Sequence, residues 1–82
     1  MTLFEVKVKG KDITEIFDNL DNAWDWAYSR IVMNESEKIV FLWKFLLNHY
    51  REKKLFGCLI KENGDIKEIV DEKELEKIQM YS

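Results

Sequence analysis

Residues 39–50 read Ile-Val-Phe-Leu-Trp-Lys-Phe-Leu-Leu-Asn-His-Tyr, and only Lys44, Asn48 and His49 interrupt this apolar run. Apolar residues recur at the i, i+3, i+4 and i+7 positions, a spacing typical of the core-facing stripe of a helix. That stripe consists of Ile39, Leu42, Trp43, Leu46 and Tyr50. We therefore predict a central helix that is covered on most sides. A bilayer span needs about 20 residues, so this segment is too short to cross a membrane.

The chain before this stretch opens with a strand pattern. Residues 3–9 alternate, with Phe4, Val6 and Val8 on one face and charged residues on the other, which predicts a half-buried strand. Residues 12–18 allow two interpretations. They either open a helix with Asp12 and Glu15 as a capping box, or form the return strand of a hairpin.

An internal repeat favours the hairpin. Residues 12–18 (Asp-Ile-Thr-Glu-Ile-Phe-Asp) match residues 65–71 (Asp-Ile-Lys-Glu-Ile-Val-Asp) at five of seven positions. The second copy follows Asn63-Gly64, a strong signal for a tight hairpin turn. If the two copies share a shape, the chain contains two hairpins. We adopt that interpretation.

Helices should follow both hairpins. Residues 21–33 fit a helix capped by Asp21, with Trp24, Ala27, Tyr28 and Ile31 as its stripe. Asn34 or Ser36 would then cap the central helix, which should end near Lys53 and Lys54. Asp71 should cap a short final helix that turns Leu75 and Ile78 inward.

The register of the second hairpin has two solutions. A two-residue turn at Asn63-Gly64 pairs Ile60 with Lys67, whereas a three-residue turn pairs Ile60 with Ile66. The second solution gathers more apolar residues on one face, so hydrophobic matching favours it. The resulting fold class is α+β. We expect a single domain over residues 1–82, with two layers in the order ββα-α-ββα, about four antiparallel strands and three helices.

Composition restricts the cellular location and the type of protein that the chain can be. The chain has a net charge of −3, one cysteine and no proline, and Lys outnumbers Arg eleven to two. A lone, buried Cys58 and the absence of a signal-peptide pattern predict a cytoplasmic protein. The lysine bias and compact acidic composition are also common among phage and mobile-element proteins.

Few residues in the sequence are arranged for catalysis or metal binding. His49 and Cys58 are the only His and Cys, and nothing in the sequence brings them together as a nucleophilic pair. Asp18, Asp21 and Asp25 suit a solvated helix start better than a divalent-cation site. No phosphate-binding glycine loop or metal motif is present. We therefore predict a protein that is not an enzyme and has no cofactor or metal.

The leading hypothesis is a small protein-binding regulator or inhibitor that occupies a partner's surface, with a homodimer as one possibility. Surplus aromatic side chains support it, because aromatic anchors dominate interface energetics. Its candidate contact residues are Trp26, Phe45, Phe41 and Asp25.

The alternative hypothesis is an RNA- or DNA-binding domain that uses the main basic concentration in the chain. Basic residues interleaved with aromatic ones are typical of platforms for single strands. The candidate contact residues are Lys44, His49, Arg51, Lys53 and Lys54.

Overall fold

Five antiparallel strands and two helices make up the protein in this computed structural model, which describes residues 1–80. In chain order the elements are β1 (Thr2–Val8), β2 (Thr14–Phe17), α1 (Leu20–Met33), β3 (Ile39–Leu46), a 3₁₀ turn (Tyr50–Glu52), β4 (Lys54–Glu62), β5 (Asp65–Ile69) and α2 (Glu72–Met80). The strands form one sheet in the order β2-β1-β3-β4-β5. The predicted α+β class is confirmed, but there are five strands and two helices rather than about four and three.

The predicted central helix is wrong, because residues 39–46 form the central strand β3. Val40 and Leu42 pack into one core with Ala23, Ala27 and Ile31 of α1. Phe41 packs into a second core with Leu75 of α2. A strand buried on both faces reads as a continuous apolar run and loses its period of two. Its sequence can therefore imitate a buried helix.

The two helices lie on opposite faces of the sheet, so the fold has three layers rather than the predicted two. Helix α1 packs across β1, β2, β3 and β4, whereas the contacts of α2 are mainly with β4. The α2 face of β1 and β2 is therefore left without a helix over it. That uncovered half is where the candidate site lies.

Both predicted hairpins are confirmed. Strand β1 pairs with β2, and β4 pairs with β5. The second hairpin turns through Asn63 and Gly64, both with positive φ (52° and 84°), as a two-residue primed turn requires. Ile60 consequently pairs with Lys67. The three-residue turn that hydrophobic matching favoured is wrong.

The helix starts are set by side-chain caps. The side chain of Asn19 accepts a hydrogen bond of 3.0 Å from the Asn22 N–H, so Asn19 caps α1 instead of the predicted Asp21. The predicted cap of α2 is confirmed, because Asp71 accepts from the Glu74 N–H at 3.2 Å. Asn34 and Ser36 start no helix, since a strand follows them. Asn34 instead caps the C-terminal end of α1, where its side-chain amide donates to the Arg30 carbonyl at 2.9 Å.

Strand β4 contains a bulge where it pairs with β3, next to a glycine that contacts α1. Gly57 pairs with Leu42, and Leu55 pairs with Trp43, which leaves Phe56 as the extra residue. A Cβ atom on Gly57 would lie 2.4 Å from the Trp24 ring. Glycine at this position therefore lets the indole of Trp24 lie directly on the strand.

Within the described residues, no helix is long and apolar enough to cross a membrane.

Candidate functional site

An open groove with a volume of about 540 Å³ lies on the sheet face that α2 leaves uncovered. Strand β3 supplies aromatic side chains to it, and the end of β1, the 3₁₀ turn with the residue after it, and the end of α2 supply the rest. Its lining residues are Lys7, Lys9, Gly10, Phe41, Trp43, Arg51, Lys53 and Gln79. The groove therefore combines aromatic rings with four cationic side chains.

The charge of the groove is of one sign. Of the described residues, no Asp or Glu is among those that line it. Lys7, Lys9 and Arg51 are exposed and form no ion pair within residues 1–80. The rest of the chain then carries sixteen acidic residues against nine cationic ones. The groove is thus a local positive site on an acidic protein.

Sheet pairing explains why cations and aromatic rings meet here. Lys7 of β1 lies directly opposite Phe41 of β3, and Glu5 lies opposite Trp43. Directly opposite side chains on one sheet face lie about 5 Å apart at Cβ. The polar face of β1 is therefore placed beside the aromatic residues of β3.

Glu5 anchors one wall of the groove from below. Only 2% of the residue is exposed. Its Oε1 accepts a hydrogen bond from Lys53 Nζ at 3.1 Å, and its Oε2 accepts one from the Tyr50 hydroxyl. Lys53 Nζ also donates to the Tyr50 hydroxyl at 2.9 Å. This cluster ties the 3₁₀ turn, which carries Arg51, to the sheet.

Lys53 remains a cation in this position. Burial disfavours its charged form, but the hydrogen bonds to Tyr50 and Glu5 outweigh that effect and raise the pKa of Lys53 above its ordinary value. Its ammonium lies 5.1 Å from the ring centroid of Trp43 and 4.4 Å from that of Tyr50. Both rings can therefore stabilise the charge through cation–π contact.

The structure divides the five residues predicted for nucleic-acid contact. Arg51 and Lys53 line the groove. Lys44 lies 5.4 Å from the Phe56 ring, Lys54 pairs with Glu72 at 3.5 Å, and His49 lies 3.6 Å from Glu52. Lys7 and Lys9 were missed. Both lysines belong to the polar face predicted for the first strand. That face could be assigned to a site only once β1 is known to pair with β3.

The residues predicted for protein contact are mostly packed within the fold. Phe41 and Phe45 are buried, and Phe45 packs edge-on against Tyr50 with ring centroids 5.1 Å apart. Trp26 is half-buried, with its ring 6.0 Å from that of Phe17. Asp25 is exposed on α1. A contact role for these four residues stays a prediction.

The single thiol is placed as predicted, inside a core. Cys58 is fully buried, and burial raises its pKa from 9.0 to about 11. A thiol with so high a pKa is mostly protonated at neutral pH and is a poor nucleophile. Among residues 1–80, no three His, Cys, Asp or Glu side chains are grouped so that they could hold a metal ion.

Comparison of the chain with protein-family models, with curated proteins and with solved structures found no match.

Proposed function

We propose that this protein is a non-catalytic binding module that holds single-stranded nucleic acid in its basic groove. The observation that carries the proposal is the set of three cations that form no ion pair within residues 1–80, Lys7, Lys9 and Arg51, beside the half-buried indole of Trp43. Proteins that bind single strands without sequence preference combine a positive groove for phosphates with aromatic rings for bases. Both components are present within one groove.

Electrostatics favours nucleic-acid binding at the groove over binding at the rest of the surface. Lysine and arginine side chains that neutralise phosphates release the counterions condensed on the nucleic acid, and this release increases the affinity. The acidic remainder of the molecule repels a polyanion, with a range of about 8–10 Å at physiological salt. A nucleic acid should therefore contact this protein through the groove alone.

Base contact favours a single strand over a duplex. In a duplex the bases are stacked on one another, and their faces are not available to Trp43. In a single strand a base can stack on an aromatic side chain, with a gain of about 1–3 kcal/mol. The ammonium of Lys53, which lies over the same ring and is bonded to Glu5, would keep that bond and pair with the phosphate next to the stacked base.

The test is a binding titration of a fluorescent oligothymidylate by anisotropy over a series of salt concentrations. Three or four phosphate contacts predict a slope of log affinity against log salt of about −2 to −3. Lys7→Glu and Arg51→Glu should each weaken binding and flatten that slope. Lys38→Glu is the control, since Lys38 is an exposed lysine that does not line the groove.

Two results would overturn this function. One is equal binding of the oligothymidylate by the parent, Lys7→Glu and Lys38→Glu. The other is preferential binding of a duplex, or of a polyglutamate peptide, over the single strand. The peptide result would indicate an acidic protein partner for the same groove.

A protein-binding regulator is the second candidate, and a group of exposed apolar residues favours it. Met1, Leu46 and Leu47 are all at least half exposed, and the Leu47 N–H donates to the Met1 carbonyl at 2.9 Å. Grouped apolar side chains on a small protein are typical of docking sites. Analytical ultracentrifugation tests the homodimer form: a parent dimer that Leu47→Glu makes monomeric would support it, and a monomeric parent would exclude it.

A further inference from the structure

A second depression, of about 270 Å³, adjoins the groove between the sheet and the last turns of α2. It shares Lys9 and Phe41 with the groove, so the two depressions are contiguous. Apolar side chains from β3, β4 and α2 form most of its walls, chiefly those of Ile39, Ile60 and Ile78. Lys77 of α2 is its second cationic residue.

The composition of this depression restricts what can occupy it. A purely apolar ligand would gain nothing from the two lysines, and a bare phosphate would gain nothing from the isoleucines. No acidic residue is among the described residues that line the depression. A ligand that complements all of these features has a flat, weakly polar group with negative charge beside it. A nucleobase on its sugar-phosphate backbone has that form.

We infer that this depression is a base pocket: it takes one nucleobase of a strand whose neighbouring phosphates contact Lys9 and Lys77. The inference rests on the proposed function and extends it, because it defines the path of the bound nucleic acid. That path runs from the groove over Phe41 toward α2. Lys9, which lies at both depressions, contacts the phosphate at the crossing point. The pocket binds the base by apolar burial, so it accepts any base of fitting size.

The test compares a short oligothymidylate with a chain of equal length made of a stable abasic analogue, which keeps the phosphates and lacks the bases. The parent should bind the abasic chain at least about 25-fold more weakly, since the base on Trp43 and the base in the pocket each contribute about fivefold or more. Ile60→Phe fills the pocket and should reduce that difference by about fivefold or more, while the Trp43 contact and the groove cations stay in place. Val32→Phe is the control, because Val32 is exposed on α1 and does not line either depression.

A second variant guards against misfolding of Ile60→Phe. Lys77 and Lys73 are both exposed on α2, but Lys73 lines neither depression. Lys77→Gln should reduce the salt slope of oligothymidylate binding by about 0.7, the value for one phosphate contact on a single strand. Lys73→Gln should leave the slope unchanged.

Each outcome separates the two proposals. If oligothymidylate and abasic chain bind equally, the base pocket and the stacking on Trp43 are both wrong, and only the phosphate contacts of the groove stand. If the abasic chain binds more weakly but Ile60→Phe and Lys77→Gln behave like the parent, the base contact lies on Trp43 and the pocket is again wrong. If neither chain binds, both proposals fail.

Discussion

Glu5 is the buried carboxylate on which the groove wall depends. Its two oxygens accept from Lys53 and Tyr50, and both of those side chains retain contact with solvent. Loss of the interaction therefore has different consequences for Glu5 than for Lys53 or Tyr50. A lysine or tyrosine that loses Glu5 can turn to water, whereas a buried carboxylate that loses Lys53 is left without a cationic partner.

This asymmetry predicts that Lys53→Met destabilises the protein more than Glu5→Gln. Loss of the ammonium should lower the free energy of unfolding by about 1–3 kcal/mol, the cost of an incompletely satisfied buried acceptor. Glutamine keeps the shape of Glu5 and still accepts a hydrogen bond, so its cost should be smaller. Urea denaturation of the two variants compares them directly. A larger loss in Glu5→Gln would contradict the argument.

Tyr28 predicts a loss of stability at alkaline pH. Its hydroxyl donates to Glu68 Oε1 at 2.6 Å, and burial together with this carboxylate raises the pKa of Tyr28 from 10.0 to about 12. Because folding favours the protonated phenol, its contribution is complete below pH 10 and is lost as the pH rises toward 12.

Tyr28→Phe should therefore show a shallower fall in unfolding free energy between pH 9 and 11 than the parent. Some fall should remain, because burial also raises the pKa of Cys58 to about 11. Urea denaturation at several pH values measures both slopes. Identical slopes would show that Tyr28 keeps its ordinary pKa in the folded protein.

At the scale of elements, β3 shows what the sequence could not provide. Leu42 and Trp43 are adjacent on the stripe of a helix but point to opposite faces of a strand, and only the covering helices reveal that both faces are buried. The predicted register of β4 and β5 was wrong for the same reason. Ile66 packs against the α1 core and Ile69 lies in the α2 core, so matching on a single face misled. Local signals succeeded, as Asn63-Gly64 and Asp71 illustrate.

Two leucines of β3 test this assignment. Leu42 is 1% exposed and Leu46 is 54% exposed, although a helix would have buried both. Leu42→Ala should lower the unfolding free energy by about 2–5 kcal/mol, through lost burial and the cavity it leaves. Leu46→Ala should change it by less than about 0.5 kcal/mol. Thermal melts of both variants distinguish a strand from a helix at residues 39–46. Comparable destabilisation of the two variants would favour the helix.

At the scale of the molecule, the candidate site follows from incomplete coverage of the sheet. Helix α1 spans one face, whereas α2 packs mainly on β4, and the groove occupies the space left beside it. Arg51 and Lys53 could be predicted because they are close in sequence. Lys7 and Lys9 could not, because their relation to Trp43 depends on strand order. Charge segregation of this kind is a property of the tertiary fold and not of any single segment.

The most direct test of the central claim is a nuclear magnetic resonance titration of the isotope-labelled protein with a short single-stranded oligonucleotide. Binding in the groove predicts shift changes at the indole N–H of Trp43 and at the backbone amides of Lys7, Lys9 and Arg51. The side-chain methyl of Met1 and the amides of Leu46 and Leu47 should keep their chemical shifts. Changes confined to those three residues, or no changes at saturating oligonucleotide, would contradict the account.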